Sequence, residues 1–278
     1  MKNPAKKNTP DLWRKLFPLP KSEGNKYDRG NLVIGGGGIA STGAAKIAAR
    51  CALRSGAGLV SIACDRESLP VYAASLQAVM TKLVDNKQEF SALIDDKRVT
   101  AVALGSGAGV TEKTKEFVFA TLAKNKALVL DADAITVFAN IPHLLFPAIK
   151  SPCIMTPHEG EFSRLFGKLI EDDDRVIKAQ KAAKLSGAVI ILKGFNTVIA
   201  APDEHIVINH NATPYLASAG TGDALTGICA GLLAQGMPVF EAACAAVWLH
   251  SEAASSFGVG LIAEDIADLL PAVLGTVR

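Results

Sequence analysis

Nowhere among the 278 residues is there a run of the ~18 consecutive apolar residues that a membrane span needs, and the first 30 contain no signal-peptide apolar block. A soluble, cytoplasmic protein is therefore expected. Cysteine is scarce and unpatterned: Cys51, Cys64, Cys153, Cys229 and Cys244 are odd in number and far apart, with no CxxC or Cys/His ligand spacing. Their pattern argues against a disulfide framework or a zinc site and for buried, inert thiols. Neither sign of charge dominates. The formal net charge is +2 and Lys and Arg are scattered, which leaves no basic face for nucleic acid. The short basic run "MKNPAKKNTP" reads as a solvated, frayed tail. Internal repeats and low-complexity linkers are also missing, so residues 24–278 are taken as one domain behind a tail over residues 1–23.

What is present is apolar mass: 49% of residues are hydrophobic, enough for one large α/β domain with a substantial core. "NLVIGG" is a short apolar run ended by glycines, followed by a small-residue helix, "STGAAKIAARCALRSGAG", and a strand, "LVSIAC". The order repeats with "TAVALGSGAG", a helix "TEKTKEFVFATLAKN" and "ALVLDADA". These runs are apolar throughout, as parallel strands buried on both faces are. Helices between strands imply right-handed crossovers and a doubly wound, mostly parallel sheet, which binds ligands beyond its carboxyl edge. "AVIILKGFNTVIAAPDEHIVINH" holds three strand-like runs broken by "KGFN" and "PDEH", a hairpin or meander; beyond Ala217 the pattern is helical.

Several loops at strand ends carry candidate chemistry. "GGGGIASTGAAKIAA" and "GSGAG" have the small residues that close backbone approach to a ligand requires, although a tight turn under a helix explains them equally well. "DADAI" places Asp131 and Asp133 at the end of a buried strand. Capping explains one carboxylate, and the other needs a structural partner, a cation or a ligand hydroxyl, with the structural role favoured. His158, at a predicted helix start with Glu159 and Glu161 in its first turn, fits a cap or a substrate contact. Lys193 in "LKGFNT" is either an exposed hairpin lysine or a point charge for a phosphate. His250 reads as packed.

The densest signal is "ASAGTGDALTGICAGLLAQG". Gly220, Thr221 and Gly222 feed a helix whose first N–H groups and dipole favour an anion such as a phosphate. Thr221 is the expected N-cap. Asp223 is either a plain first-turn residue or a base aimed at a hydroxyl beside the phosphate.

In order along the chain, "NLVIGGGG", "ALGSGAG", "LVLDADAI", "IMTPHEGEFSRL", "ILKGFNTVIAAPD" and "LASAGTGDALTG" resemble the ADP- or ATP-dependent NAD(P)H-hydrate dehydratases of the ribokinase-like superfamily. The GTGD loop is shared across the superfamily, whereas "LDADA", "TPHEGEF" and "LKG..T" together are specific to the family. The resemblance implies nucleotide-driven dehydration of damaged NADH or NADPH by a stand-alone dehydratase without the epimerase domain of some relatives. It implies Asp223 as the base. Lys193, Gly194, Phe195, Asn196 and Thr197 would lie along the AMP portion, with Gly222 touching it and the Gly220–Thr221 loop at the phosphates. Ala44, Gly107, His158 and Asp223 would hold the hydrated dinucleotide. Mg²⁺ would accompany the nucleotide on residues the sequence leaves unnamed, and a homo-oligomer, commonly a tetramer, is implied. Ser218 and Ala219 depart from the pattern, standing where many relatives have another glycine. The runner-up is a small-molecule kinase of the same superfamily, a vitamin-precursor or sugar kinase with the same Asp-after-glycines chemistry.

Overall fold

The structure, a computed structural model, describes residues 5–20 and 22–277. A two-residue strand, β1 (Lys6–Lys7), comes first. The crossover units then follow as β2 (Asn31–Gly35), α1 (Thr42–Arg54), β3 (Leu59–Cys64), α2 (Leu69–Ser75), β4 (Met80–Leu83), α3 (Lys87–Asp95) and β5 (Ala101–Leu104). Next come α4 (Glu112–Ala123), β6 (Ala127–Leu130), two single turns α5 (Asp133–Thr136) and α6 (Pro142–Leu145), β7 (Cys153–Met155), α7 (Glu159–Phe166) and α8 (Arg175–Ser186). The meander β8 (Val189–Leu192), β9 (Thr197–Ala200) and β10 (Ile206–Asn209) leads into α9 (Thr221–Ala234), α10 (Val239–Phe257) and α11 (Ala263–Val277).

All ten strands share one sheet, in the order β1-β10-β9-β8-β7-β6-β5-β2-β3-β4. Neighbours from β4 to β8 are parallel, while β9 is antiparallel to both β8 and β10. The doubly wound sheet and the meander are thus as the sequence implied. Its strands are apolar throughout because each face feeds a separate core. In β2, Leu32 and Ile34 join the layer of α1, α9, α10 and α11, whereas Val33 joins the layer of α3 to α8.

Small residues set the position of α9. A Cβ on Gly227 would stand 2.1 Å from the Ala48 carbonyl oxygen, and one on Gly231 would stand 2.4 Å from Ser55 Oγ, so α9 lies in backbone contact with α1. Ala45, Ala48, Ala49 and Ala52 of α1 are completely buried, so its alanine-rich face packs inside the domain. This contact delivers the N-terminus of α9 to the carboxyl edge of the sheet.

One expectation is corrected. Of the tail assigned to residues 1–23, residues 1–4 and 21 lie outside the described residues, and Asn8, Trp13 and Phe17 are buried. Lys6 and Lys7 pair in parallel with Val207 and Ile208, and Trp13 is completely buried, with ring centroids 5.9 Å from Phe17 and 5.8 Å from Trp248. The lysines suggested a solvated arm; the burial of two aromatic rings just beyond them decides the outcome. Between Cys64 and Thr100, where the sequence pattern assigned nothing, lie α2, β4 and α3. β4 is a mostly exposed edge strand with no apolar run to betray it.

Candidate active site

In the sheet β2 pairs with β3 on one side and with β5 on the other, so the loops after β2 and β5 flank the point where the strand order reverses, the place where open sheets of this kind bind ligands. The two loops touch: Ser41 Oγ donates to the Gly107 carbonyl oxygen at 3.1 Å. Gly107 also faces Ala44, whose Cβ would lie 3.6 Å from a Cβ added there. Gly105 has φ 127°, and a Cβ on it would come within 1.8 Å of the Asp131 carbonyl oxygen, so the loop after β5 is locked against the end of β6.

Asp131, almost completely buried, is the hub. Its Oδ1 accepts from Thr156 Oγ1 at 2.7 Å and from Lys193 Nζ at 2.9 Å; its Oδ2 accepts from Thr226 Oγ1 at 3.0 Å. Lys193 therefore is not the exposed hairpin lysine that the turn alone suggested, because the buried charge of Asp131 draws it inward. Burial by itself would lower the Lys193 pKa, but the carboxylates of Asp131 and of Glu161, 3.7 Å away, outweigh it and hold the ammonium charged. Ala132, with φ 45°, bends the chain so that the second carboxylate, Asp133, turns outward and accepts the Gly109 N–H at 2.8 Å. Both aspartates are structural partners, one buried and one capping a loop.

At the head of α9 the N-cap is Gly220 in the left-handed region (φ 86°), with no side-chain cap bond. Thr221, the expected cap, is instead the first helical residue. Its hydroxyl donates to the carbonyls of Leu216 (2.8 Å) and Ser218 (2.9 Å), which leaves the first N–H groups uncapped by any side chain. A cavity of about 280 Å³ opens in front of them, lined by Lys193, Gly194, Phe195, Thr197, Thr221 and Gly222 and floored by Leu225 and Val247. A Cβ on Gly222 would sit 3.5 Å from Lys193 Nζ, so the ammonium and the helix N-terminus converge on one point. Asp223 is half-buried beside it. Burial, with Asp131 adding to it, pushes its pKa above the ordinary value against the opposing pull of Ser106 and Lys193. A carboxylate whose proton affinity is raised at a helix start has the chemistry to accept a proton.

With this geometry in place, the comparisons are direct. The NAD(P)H-hydrate dehydratase family profile matches residues 32–271. The chain belongs to that family. An ADP-dependent (S)-NAD(P)H-hydrate dehydratase from Neisseria meningitidis is 33% identical over 265 residues, covering 91% of this chain and 87% of that one. A bifunctional NAD(P)H-hydrate repair enzyme from Salinibacter ruber is 34% identical across 97% of this chain; the chain spans 52% of its length. The Bacillus subtilis ADP/ATP-dependent NAD(P)H-hydrate dehydratase, co-crystallised with ATP and Mg²⁺, superposes with a TM-score of 0.85 at 28% identity, covering 99% of both chains. The fold is the ribokinase-like one.

For a chain of the NAD(P)H-hydrate dehydratase family, the residues singled out from sequence are brought to one edge of the sheet. His158 caps α7 while its ring stays half-exposed: Nδ1 accepts the N–H groups of Gly160 (2.9 Å) and Glu161 (3.2 Å). His250 is buried and its pKa is pushed down to about 4 by burial. Its Nε2 lies 2.8 Å from the Thr221 carbonyl, which only accepts, so the ring is neutral and protonated there. All five thiols are buried, and burial raises Cys51 and Cys153 to about 12. Asn196 meets Arg175 through its carbonyl (2.9 Å) and His210 through its side-chain oxygen (3.2 Å). Sequence reasoning missed Arg175, whose guanidinium donates to the carbonyls of Leu192, Lys193 and Asn196 and so shapes the turn between β8 and β9. It also missed Thr226, although a lone hydroxyl inside the apolar run of α9 was a readable sign.

Proposed function

We infer that this chain dehydrates NAD(P)H hydrate with ADP or ATP as co-substrate, by phosphorylating the ring hydroxyl and releasing phosphate. The observation that carries the reading is the meeting, at one point, of an uncapped helix N-terminus, the Lys193 ammonium and a carboxylate whose proton affinity is raised. Hydroxide is a poor leaving group. Asp223 takes the proton of the ring hydroxyl as its oxygen attacks the terminal phosphoryl group, and the N–H groups of the first turn of α9 stabilise the charge in transfer. The adjacent ring nitrogen then expels phosphate, and loss of a neighbouring ring proton completes the double bond.

The AMP portion of the nucleotide is assigned to Lys193–Thr197 and Gly222, with the exposed ring of Phe195 offering a stacking face. The hydrated ring is assigned to the opposite side, between Ala44, Gly107, His158 and Asp223. Among the described residues no group of three His, Cys, Asp or Glu side chains that could hold a metal ion is found. Mg²⁺ would enter with the nucleotide and would supply charge neutralisation. A homo-oligomer, with a tetramer suspected, is the assembly to test by light scattering.

The test is a mixture of the chain, NADH hydrate and ADP or ATP. Recovery of reduced-nicotinamide absorbance with stoichiometric phosphate is expected. A phosphorylated product that persists would favour a small-molecule kinase instead, and no recovery with either nucleotide would sink the reading.

A further inference from the structure

The hydroxyl of Ser106 is the one feature of the crevice that its surroundings leave unexplained. Ser106 is 4% exposed, yet Oγ has no aligned hydrogen-bond partner among the described residues. A buried hydroxyl without a partner is costly and calls for an explanation. Its backbone is fixed on both sides: Gly105 is clamped under the Asp131 carbonyl, and Gly107 accepts from Ser41. The carboxylate on which Ser106 acts is that of Asp223, whose pKa it draws down against the effect of burial.

We propose that Ser106 donates a hydrogen bond to the Asp223 carboxylate when substrate fills the crevice and holds that carboxylate aimed at the ring hydroxyl, as a positioning residue of the reaction. The proposal rests on Asp223 being the base. The bond favours the anionic form of Asp223 and restrains its rotamer, so it serves the proton transfer in two ways. The other ionisable groups around Asp223 do not titrate with it. On α1, Cys51 is raised to about 12, and on α10, His250, bonded to Thr221, is lowered to about 4; both are neutral between roughly pH 5 and 10. Asp131 at the end of β6 and Lys193 at the end of β8 form an ion pair, 2.9 Å apart.

The test uses the full chain, carboxyl-labelled on aspartate, with Asp223 followed by NMR titration in the wild type, Ser106→Ala and Ser106→Cys. In Ser106→Ala the Asp223 midpoint is expected to rise by about one pH unit, the acid limb of kcat/KM to rise with it, and the nucleotide KM to stay unchanged. The melting temperature should hold or increase, because an orphan hydroxyl has been removed. Ser106→Cys, which keeps a weaker donor of similar size, should fall between the two. An Asp223 midpoint that does not move in Ser106→Ala overturns the proposal whether or not the chain turns over hydrate. Wild-type chain without hydrate turnover would sink the functional reading instead, and the titration would still decide the hydrogen bond.

Discussion

Replacing Asp223 with Asn separates chemistry from folding at the head of α9. Asp223 sits in the first turn, where an exposed anion gains about 0.3–1 kcal/mol from the helix dipole. Against this, burial and the neighbouring Asp131 raise its folded pKa. A carboxylate whose folded pKa lies above the unfolded one helps the fold only in its protonated form. That contribution is complete below the unfolded pKa and disappears as pH rises through the folded pKa, so the ionised group is a net cost at neutral pH. Asn keeps the shape without the charge. The two effects oppose, and Asp223→Asn should stay within about 1 kcal/mol of wild type at pH 7, or about 3 °C in melting temperature for a chain of this size. Turnover should fall by ~10²-fold or more, about 2.7 kcal/mol in the barrier, because Asn cannot take the proton. Calorimetry and recovery of reduced-nicotinamide absorbance read the two quantities on the same sample. Near-normal turnover would refute the base assignment, and a stability loss beyond about 2 kcal/mol would make Asp223 a structural residue.

Other substitutions divide the site further. Lys193→Met leaves Asp131 buried with only its two threonine donors; we expect about 2–4 kcal/mol of lost stability together with weakened nucleotide binding. Adding Asp131→Asn should restore stability but not affinity, and full recovery of both would remove Lys193 from the nucleotide site. Gly222→Ala should fold normally, since its Cβ would clear Lys193 Nζ by 3.5 Å, and should weaken nucleotide binding at least ~10-fold by filling the cavity in front of α9. Unchanged affinity in a calorimetric titration would place the phosphates elsewhere. His158→Ala removes the acceptor for two N–H groups of α7, a loss of about 1 kcal/mol, and should weaken hydrate binding more than nucleotide binding. Equal losses in the two titrations would count against a substrate-side position.

The parts of the site legible in the sequence were those written in local pattern. Glycines after apolar runs marked the carboxyl edge, and the glycine-rich entry to α9 marked a helix start open to anions. Long-range partners were not legible. Lys193 looked like a turn residue until the fold set it 2.9 Å from Asp131, 62 positions earlier, and Thr221 looked like a cap until its hydroxyl found Leu216 and Ser218. Composition misled at the N-terminal segment, where charges stand before the aromatic anchor. Ser106 gave no sign at all, because a serine between glycines is ordinary loop sequence.

The pairing of β1 with β10 sets an order of events on the nascent chain. Asn8 donates through its side chain to Asn209 at 2.9 Å, across 201 positions, and to the Cys244 carbonyl at 2.8 Å. Closing a loop of that length costs roughly 5 kcal/mol of chain entropy, which the short strand cannot supply before the rest of the sheet exists. The segment that precedes the rest of the sheet in sequence therefore docks among the last, after Trp248, against which Trp13 packs, has been translated. The N-terminal stretch acts as a latch that closes only on a finished domain.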